Sequence, residues 1–239
     1  MQTATIYLIP IALHEDEIAL QAIPFYIVEA VKKCSALYVE NERTARRFLK
    51  KIWKEINIDA YEWYTIHKAE EQVLQNFQKD LSQQKTIGIM SEAGCPGIAD
   101  PGQILINIAQ QTNAKIIPLV GPNSILLALM ASGMNGQCFQ FVGYLPVDTH
   151  DRKKKIIELE NESIKKNCTQ IFIETPYRNN QLLNDLLLTA KPATSLCIAV
   201  DITASTESIQ TKKISDWKKT QLNLHKRPAI FLLYAGDGH

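Results

Sequence analysis

A chain of 239 residues that is 46% hydrophobic and 21% charged has the make-up of a globular protein, long enough for one large domain or two small ones. Its net charge of +1 excludes a uniformly basic or acidic binder, although local patches act independently of the sum. The longest apolar runs fall far short of the ~20 residues a membrane helix needs, and Met1-Gln-Thr-Ala-Thr-Ile6 carries no basic or long apolar leader, so neither membrane association nor secretion is expected.

In chain order, apolar runs bounded by turn residues predict strands over 5–10, 36–40, 86–90 and 115–119. Segments of helical period between and beside them predict helices over 23–33, 43–55, 70–82 and 103–112. Such alternation is the signature of a parallel α/β sheet. The second half predicts a helix over 124–132, a strand over 139–144, a basic helix over 151–160, a strand over 170–174 and a helix over 179–189. Strands over 195–202, 208–214 and 229–234 complete it, the last two suited to antiparallel pairing because few residues separate 202 from 208. The pattern therefore changes near residues 118–122. The expected fold class is α/β with two domains: 1–118 built on a mostly parallel sheet, 119–239 on a mixed sheet, with a cleft between them.

Two turns stand out. The stretch Ser91-Glu-Ala-Gly-Cys-Pro-Gly-Ile-Ala-Asp-Pro-Gly102 packs three glycines and two prolines directly behind a buried-strand pattern. Glycine admits positive φ and close approach of backbone to a ligand, proline fixes the chain direction, and loops at the carboxyl ends of such strands are where ligands bind. Val120-Gly-Pro-Asn-Ser124 follows the next strand in the same way. Neither turn has the spacing of a dinucleotide fingerprint or the lysine of a triphosphate loop, so NAD and ATP are not expected. Both turns can also be read as structural; on consecutive strands they point to a cofactor pocket.

Other residue types are less pointed. Five scattered cysteines without a C-x-x-C pair argue against a zinc site or a disulfide framework and favour a reducing cytoplasm. His14, His67, His150, His225 and His239 have no metal-ligand spacing, and no metal is expected. Cys95 lies inside the main loop with no histidine or lysine nearby in sequence, which favours a compact filler over a nucleophile. Over 43–56, Arg43, Arg46, Arg47, Lys50, Lys51 and Lys54 share one side of a helix whose other side is Ala45, Phe48, Leu49, Ile52 and Ile56. That stripe reads either as a phosphate-binding face for RNA or as a solvated surface.

Five segments occur in order: Val39-Glu-Asn-Glu-Arg43, the 91–102 loop, Pro118-Leu-Val-Gly-Pro-Asn-Ser124, Phe141-Val-Gly-Tyr-Leu-Pro146 and Ile173-Glu-Thr-Pro-Tyr-Arg178. Together they resemble the tetrapyrrole-methylase superfamily of S-adenosylmethionine-dependent methyltransferases, in particular its branch of ribosomal RNA small-subunit methyltransferase I, which methylates a cytidine ribose 2′-hydroxyl. The resemblance runs from about Thr5 to Tyr234. It implies two α/β domains with the cofactor in the cleft, a homodimer, and S-adenosylhomocysteine as product.

Carried over residue by residue, the resemblance places Glu92, Ala93, Gly94 and Ile98 against the methionine part and ribose. It puts Asn123 and Ser124 on the cofactor, with Glu174, Thr175, Asp201 and Thr203 lining the cleft. Pro228, Ala229 and Ile230 match the segment beside adenine, and Pro10 and Ala12 the end of the first strand. On the substrate side it points to Glu40, Arg43, Asp100 and Arg178, with Arg47 and Lys50 from the basic stripe. A 2′-hydroxyl needs a base or a cation to lose its proton; Glu40, Asp100 and Arg178 are candidates for that role or for orienting loops.

Departures from the family cluster on the acceptor side. The family's Pro-x-Pro-Ile-Gly-Asn-Leu is here Pro10-Ile-Ala-Leu-His-Glu-Asp16. Its Ala-Glu-Asp-Thr-Arg keeps Glu and Arg but has Asn41 for the Asp, and a basic Arg-Glu-Leu-Thr-Lys has become Val200-Asp-Ile-Thr-Ala204. Lys-Gly-Glu before the last strand appears as Lys226-Arg-Pro228. The whole-chain similarity to the RNA branch implies RNA as acceptor, with a tetrapyrrole precursor as the alternative substrate; the substituted acceptor-side residues suggest a non-catalytic cofactor-binding regulator as the alternative role.

Overall fold

The computed structural model describes residues 3–66 and 70–236, arranged in two compact units, Met1–Asn123 and Ser124–His239. His67 and His239, two of the five histidines, lie outside the described residues.

In the first unit, β1 (Thr5–Ile9), β2 (Ala36–Val39), β3 (Glu62–Thr65), β4 (Thr86–Met90) and β5 (Lys115–Pro118) form one sheet in the order β3-β2-β4-β1-β5. Every pairing in it is parallel. Helices α1 (Tyr26–Val31), α2 (Glu42–Ile52), α3 (Glu70–Ser82) and α4 (Gln103–Gln111) supply the connections. One apolar cluster joins Ile9, Leu37 and Val39 to Ile27, Val31, Phe48 and Leu49 of α1 and α2; another joins Ile6, Ile87 and Ile89 to Phe77, Leu105 and Ala109 of α3 and α4. Helices cover both faces, which is why these strands read as continuous apolar runs.

The strand order creates a switch. From β1 the chain passes β4 to reach β2, and from β4 it passes β1 to reach β5. The chain therefore leaves β1 and β4 toward opposite edges of the sheet, and the carboxyl ends of such a pair are the position where open α/β sheets bind ligands.

Sequence reading misses β3, because Glu62-Trp-Tyr-Thr65 is a four-residue edge strand with no apolar run of its own. The predicted helix over 23–33 is shorter, since Pro24 holds its start back to Tyr26 while Glu17–Ala22 winds as a 3₁₀ turn. Helix α2 ends at Ile52, so Lys54 lies beyond it.

The second unit holds β6 (Phe139–Tyr144), β7 (Thr169–Ile173), β8 (Ser195–Val200), β9 (Ser208–Lys213) and β10 (Ala229–Tyr234) in the order β6-β7-β10-β8-β9. Only β6 with β7 is parallel; β10 runs antiparallel to β7 and β8, and β9 antiparallel to β8. Helices α5 (Ser124–Ser132), α6 (Thr149–Lys166), α7 (Asn179–Thr189) and the short α8 (Ile214–Trp217) complete it. Helix α6 outruns the predicted 151–160 because its inner stripe includes the buried polar residues Glu160 and Ser163, which hide the apolar period. Asp148 caps it, accepting from the amides of His150 (2.9 Å) and Asp151 (3.0 Å).

Candidate functional site

The loop behind β4 is tied to the loop behind β1. Gly94 and Ile11 exchange two backbone hydrogen bonds, Gly94 N to Ile11 O (3.0 Å) and Ile11 N to Gly94 O (2.9 Å). Ser91 Oγ donates to the carbonyls of Ala93 (3.1 Å) and Gly94 (3.3 Å). Gly94 sits at φ +75°, where a Cβ would lie 3.2 Å from the Leu13 side chain and 3.4 Å from the Pro122 carbonyl. This is the left-handed region that glycine enters without cost.

Asp100 closes the same loop. Its two carboxylate oxygens accept from the amides of Gly97 and Gly102, each at 2.6 Å. Burial pushes its carboxyl above the usual range, against the pull of those amides. Glu40 accepts from the amide of Glu92 (2.8 Å). Asn41 does two jobs: its carbonyl caps α2 at the amide of Thr44 (3.2 Å), and its amino group donates to the Glu92 carboxylate (3.3 Å). An aspartate there caps the helix equally well but has no proton for Glu92, so the family's Asp and this Asn differ in what they do to the loop.

The loop behind β5 joins the other two. Cys95 Sγ donates toward the carbonyls of Pro122 (3.5 Å) and Gly121 (3.7 Å). Burial pushes this thiol up, while a hydrogen bond with Asn123 pulls it down. A raised thiol suits a filler and not a nucleophile. Gly121 crosses Pro10 so closely that a Cβ would fall 2.2 Å from the Pro10 ring. Gly121→Ala is therefore expected to cost about 1–3 kcal/mol by overpacking. In thermal denaturation that is a fall of roughly 2–4 °C per kcal/mol for a chain of this size; an unchanged midpoint would contradict the crossing. Pro10, Ala12, Glu92, Ala93, Gly94 and Asn123 thus gather at the carboxyl ends of β1, β4 and β5, with Ile98 half exposed on the outer part of the loop.

In the second unit, the sheet brings another set together. The end of β7, the end of β8 and the start of β10 are neighbours, with Ile173 opposite Ile230 and Val200 opposite Ala229. Glu174 follows β7 and is buried. It accepts from the amide of Thr175 (2.6 Å) and from Arg178 Nε (3.0 Å) and Nη2 (2.7 Å). Arg178 is thereby committed to Glu174.

Asp201 and Thr203 follow β8 at φ +49° and +71°. A β-branched residue there is an uncommon, strained conformation of the kind found at ligand sites. Asp201 Oδ2 accepts from Thr206 Oγ1 (2.8 Å) and Arg227 Nε (2.8 Å), and the Asp201 amide donates to Pro228 O (3.0 Å). Sequence reasoning missed Arg227; its only signal was that it interrupts the family's Lys-Gly-Glu. The buried Thr203 Oγ1 and Asn179 Oδ1 have no hydrogen-bond partner among the described residues. Buried polar atoms are ordinarily satisfied.

In the first unit, glycines with positive φ or no room for a side chain leave backbone groups open to a ligand, as a donor such as S-adenosylmethionine requires. In the second unit, taken by itself, an orphaned hydroxyl on strained backbone stands beside buried Ala229 and Ile230. Among the described residues no group of three histidine, cysteine or carboxylate side chains is placed to hold a metal ion, and no helix is long and apolar enough to cross a membrane.

The basic stripe on α2 is partly consumed internally. Arg46 pairs with Glu42 (2.8 Å) and lies over the Trp63 ring at 4.9 Å. Arg47 pairs with Glu15 (2.8 Å), whose carbonyl also accepts from Lys51 (2.8 Å). Arg43 and Lys50 have no ion-pair partner among the described residues and are exposed, seven positions apart on the same face as Arg47. His14 faces Asp16 at 3.1 Å.

The architecture is that of known methyltransferases. The methyltransferase CobJ superposes with a TM-score of 0.63 at 12% identity, over 98% of this chain and 94% of that one. The uroporphyrin-III-C-methyltransferase of Thermus thermophilus does so at 0.56 and 12%, over 98% and 93%. The fold is thus the two-unit α/β fold of tetrapyrrole methyltransferases. No family model matches the chain. Ribosomal RNA small subunit methyltransferase I of Buchnera aphidicola subsp. Schizaphis graminum is 30% identical over 240 residues, covering 98% of this chain and 79% of that protein. The proteins of the same name from Vibrio cholerae and Halalkalibacterium halodurans are each 30% identical over 77% of this chain. The chain belongs to the ribosomal RNA small subunit methyltransferase I family. It spans 64% and 60% of the length of the Vibrio and Halalkalibacterium relatives.

Proposed function

We propose that the protein is an S-adenosylmethionine-dependent methyltransferase that O-methylates RNA, at a ribose 2′-hydroxyl of ribosomal RNA. It works in the cytoplasm as a homodimer and without a resident metal. The observation that carries this reading is the lacing of the loops behind β1, β4 and β5 through the Gly94–Ile11 bridge and the Gly121–Pro10 crossing, in a chain of this family.

S-adenosylmethionine supplies a sulfonium-bound methyl group and leaves as S-adenosylhomocysteine. Everything else falls to the chain. Backbone groups of Glu92, Ala93 and Gly94, with Asn123 and Ser124, hold the donor from the first loops. Thr175, Thr203 and the apolar Pro228–Ile230 segment are the further donor contacts that the family resemblance assigns. In-line displacement needs donor and acceptor fixed at near-attack distance, which rigid loops provide. Excluding water also helps, because positive charge disperses as the methyl leaves. Glu40 and Asp100 are engaged by the amides of Glu92, Gly97 and Gly102, so both act by positioning the donor loop.

The test is transfer of labelled methyl from S-adenosylmethionine to small ribosomal subunits lacking the mark. Label in RNA is the expected result; label in a tetrapyrrole precursor only, or donor binding with no transfer, would overturn it. For the RNA face, reversing Arg43 and Lys50 together to glutamate is expected to weaken RNA binding most at low salt. Losing two phosphate contacts flattens the dependence of log affinity on log salt by about 1.4–1.8. Equal affinity and slope would mark α2 as a solvated surface.

A further inference from the structure

A pocket of about 190 Å³ opens within the first unit; it borders the donor loop through Ala12, Glu92 and Ala93 and extends away from it to Leu20, Arg47 and Lys51. It is built by four segments: the altered loop behind β1, Leu20 of the 3₁₀ turn, one face of α2 from Thr44 to Lys51 and the Glu92–Ala93 turn. Its apolar wall is Leu13, Leu20 and Phe48. Glu92 also lines it, its carboxylate steadied by Asn41 (3.3 Å). So do Arg47 and Lys51, together with Glu15.

Both cations are satisfied by one residue. Glu15 gives its carboxylate to Arg47 (2.8 Å) and its carbonyl to Lys51 (2.8 Å). The Arg47–Glu15 pair is exposed, 44% and 72% by side chain, and exposed ion pairs hold weakly. A phosphate, with stronger and bidentate acceptor geometry toward arginine, is suited to displace that carboxylate. The cavity is smaller than the ~300–1,000 Å³ of drug-sized ligand sites and suits one heterocycle with its sugar. Glu92, an acceptor-only group when ionised, selects an edge that offers an amino proton.

From this juxtaposition we infer that the pocket seats one nucleotide of the RNA, its base against the Phe48 wall with an amino edge on Glu92, and its phosphate on Arg47 and Lys51 in place of Glu15. The inference rests on the RNA reading above and adds to it where the acceptor strand is gripped. It also accounts for the altered His14–Glu15–Asp16 loop, in which Glu15 keeps the cations covered until a phosphate arrives.

The test uses the full chain with the four nucleoside 5′-monophosphates and a short single-stranded RNA as probes. Saturation-transfer NMR is expected to show AMP, CMP and GMP contacting the protein more strongly than UMP. Thr44→Trp fills the pocket from a half-buried position whose capping contact is made by its backbone amide. It is expected to abolish the nucleotide signal and weaken RNA binding at least tenfold, with calorimetric S-adenosylmethionine affinity unchanged. Glu15→Ala, at an exposed site, is expected to raise RNA affinity about threefold or more and steepen its salt dependence. Wild-type nucleotide and RNA binding in Thr44→Trp, or an unchanged affinity and slope in Glu15→Ala, overturns the inference. If those variants also methylate RNA as the wild type does, the inference alone has failed. If the wild type neither binds nor methylates RNA, the proposed function has failed with it.

Discussion

Asp185→Ala is expected to destabilise the protein by about 3–5 kcal/mol, a large part of the ~5–15 kcal/mol that keeps an ordinary domain folded. Arg152 is 1% exposed and its charge is answered by Asp185, through Nε at 2.8 Å and Nη2 at 2.5 Å. The rest of the guanidinium donates to the carbonyls of Pro146 (3.1 Å) and Val147 (2.7 Å) and to Thr149 Oγ1 (3.3 Å). One side chain thus staples the turn before α6 to α7. Removing the carboxylate leaves a buried cation with only neutral partners, since Lys153, at 3.9 Å from Asp185, has the wrong sign to help. At roughly 2–4 °C per kcal/mol the melting midpoint falls by about 6–20 °C. Replacing both members of the pair with apolar residues of similar volume is expected to cost far less, because the desolvation penalty disappears with the charges. A loss below about 1 kcal/mol in Asp185→Ala, by thermal or urea denaturation, would show the pair is not the staple described.

Gly94→Val is expected to weaken S-adenosylmethionine binding by about 30–150-fold while leaving both sheets intact. At φ +75° an L-residue costs about 1–2 kcal/mol, and β-branching narrows its choices further. The new side chain also meets Leu13 and the Pro122 carbonyl, so strain is delivered to the Gly94–Ile11 bridge and to the loop behind β5 together. If about 2–3 kcal/mol of that strain reaches the site, affinity falls about 30–150-fold, at roughly 1.4 kcal/mol for each factor of ten. Calorimetry reads this directly. Unchanged affinity would remove the loop behind β4 from the donor site, and circular dichroism of the variant separates that outcome from unfolding.

Legibility in the sequence followed the range of the interactions. Strands β4 and β10 and helix α7 match their sequence boundaries because local pattern and burial agree there, with turn residues at each end. Strand β3 was illegible because what holds it is pairing with β2 and not its own composition. The glycines behind β4 and β5 were readable as ligand-facing turns, but the Ile11 bridge, the Pro10 crossing and the Asp201–Arg227 pair join residues far apart in the chain. The α2 stripe shows the limit from the other side: its pattern was plain, yet Arg46 and Arg47 are bound to Glu42, Trp63 and Glu15. Composition places a charge on a face; only the fold says whether that charge is already spent.

The central claim, that this chain places a methyl group on ribosomal RNA, is tested most directly by mass-spectrometric mapping of methyl marks on small-subunit rRNA from cells with and without the protein. A ribose methyl mark present with the protein, lost without it and restored by the wild type but not by Gly94→Val is the predicted result. Identical maps in all four strains would contradict it.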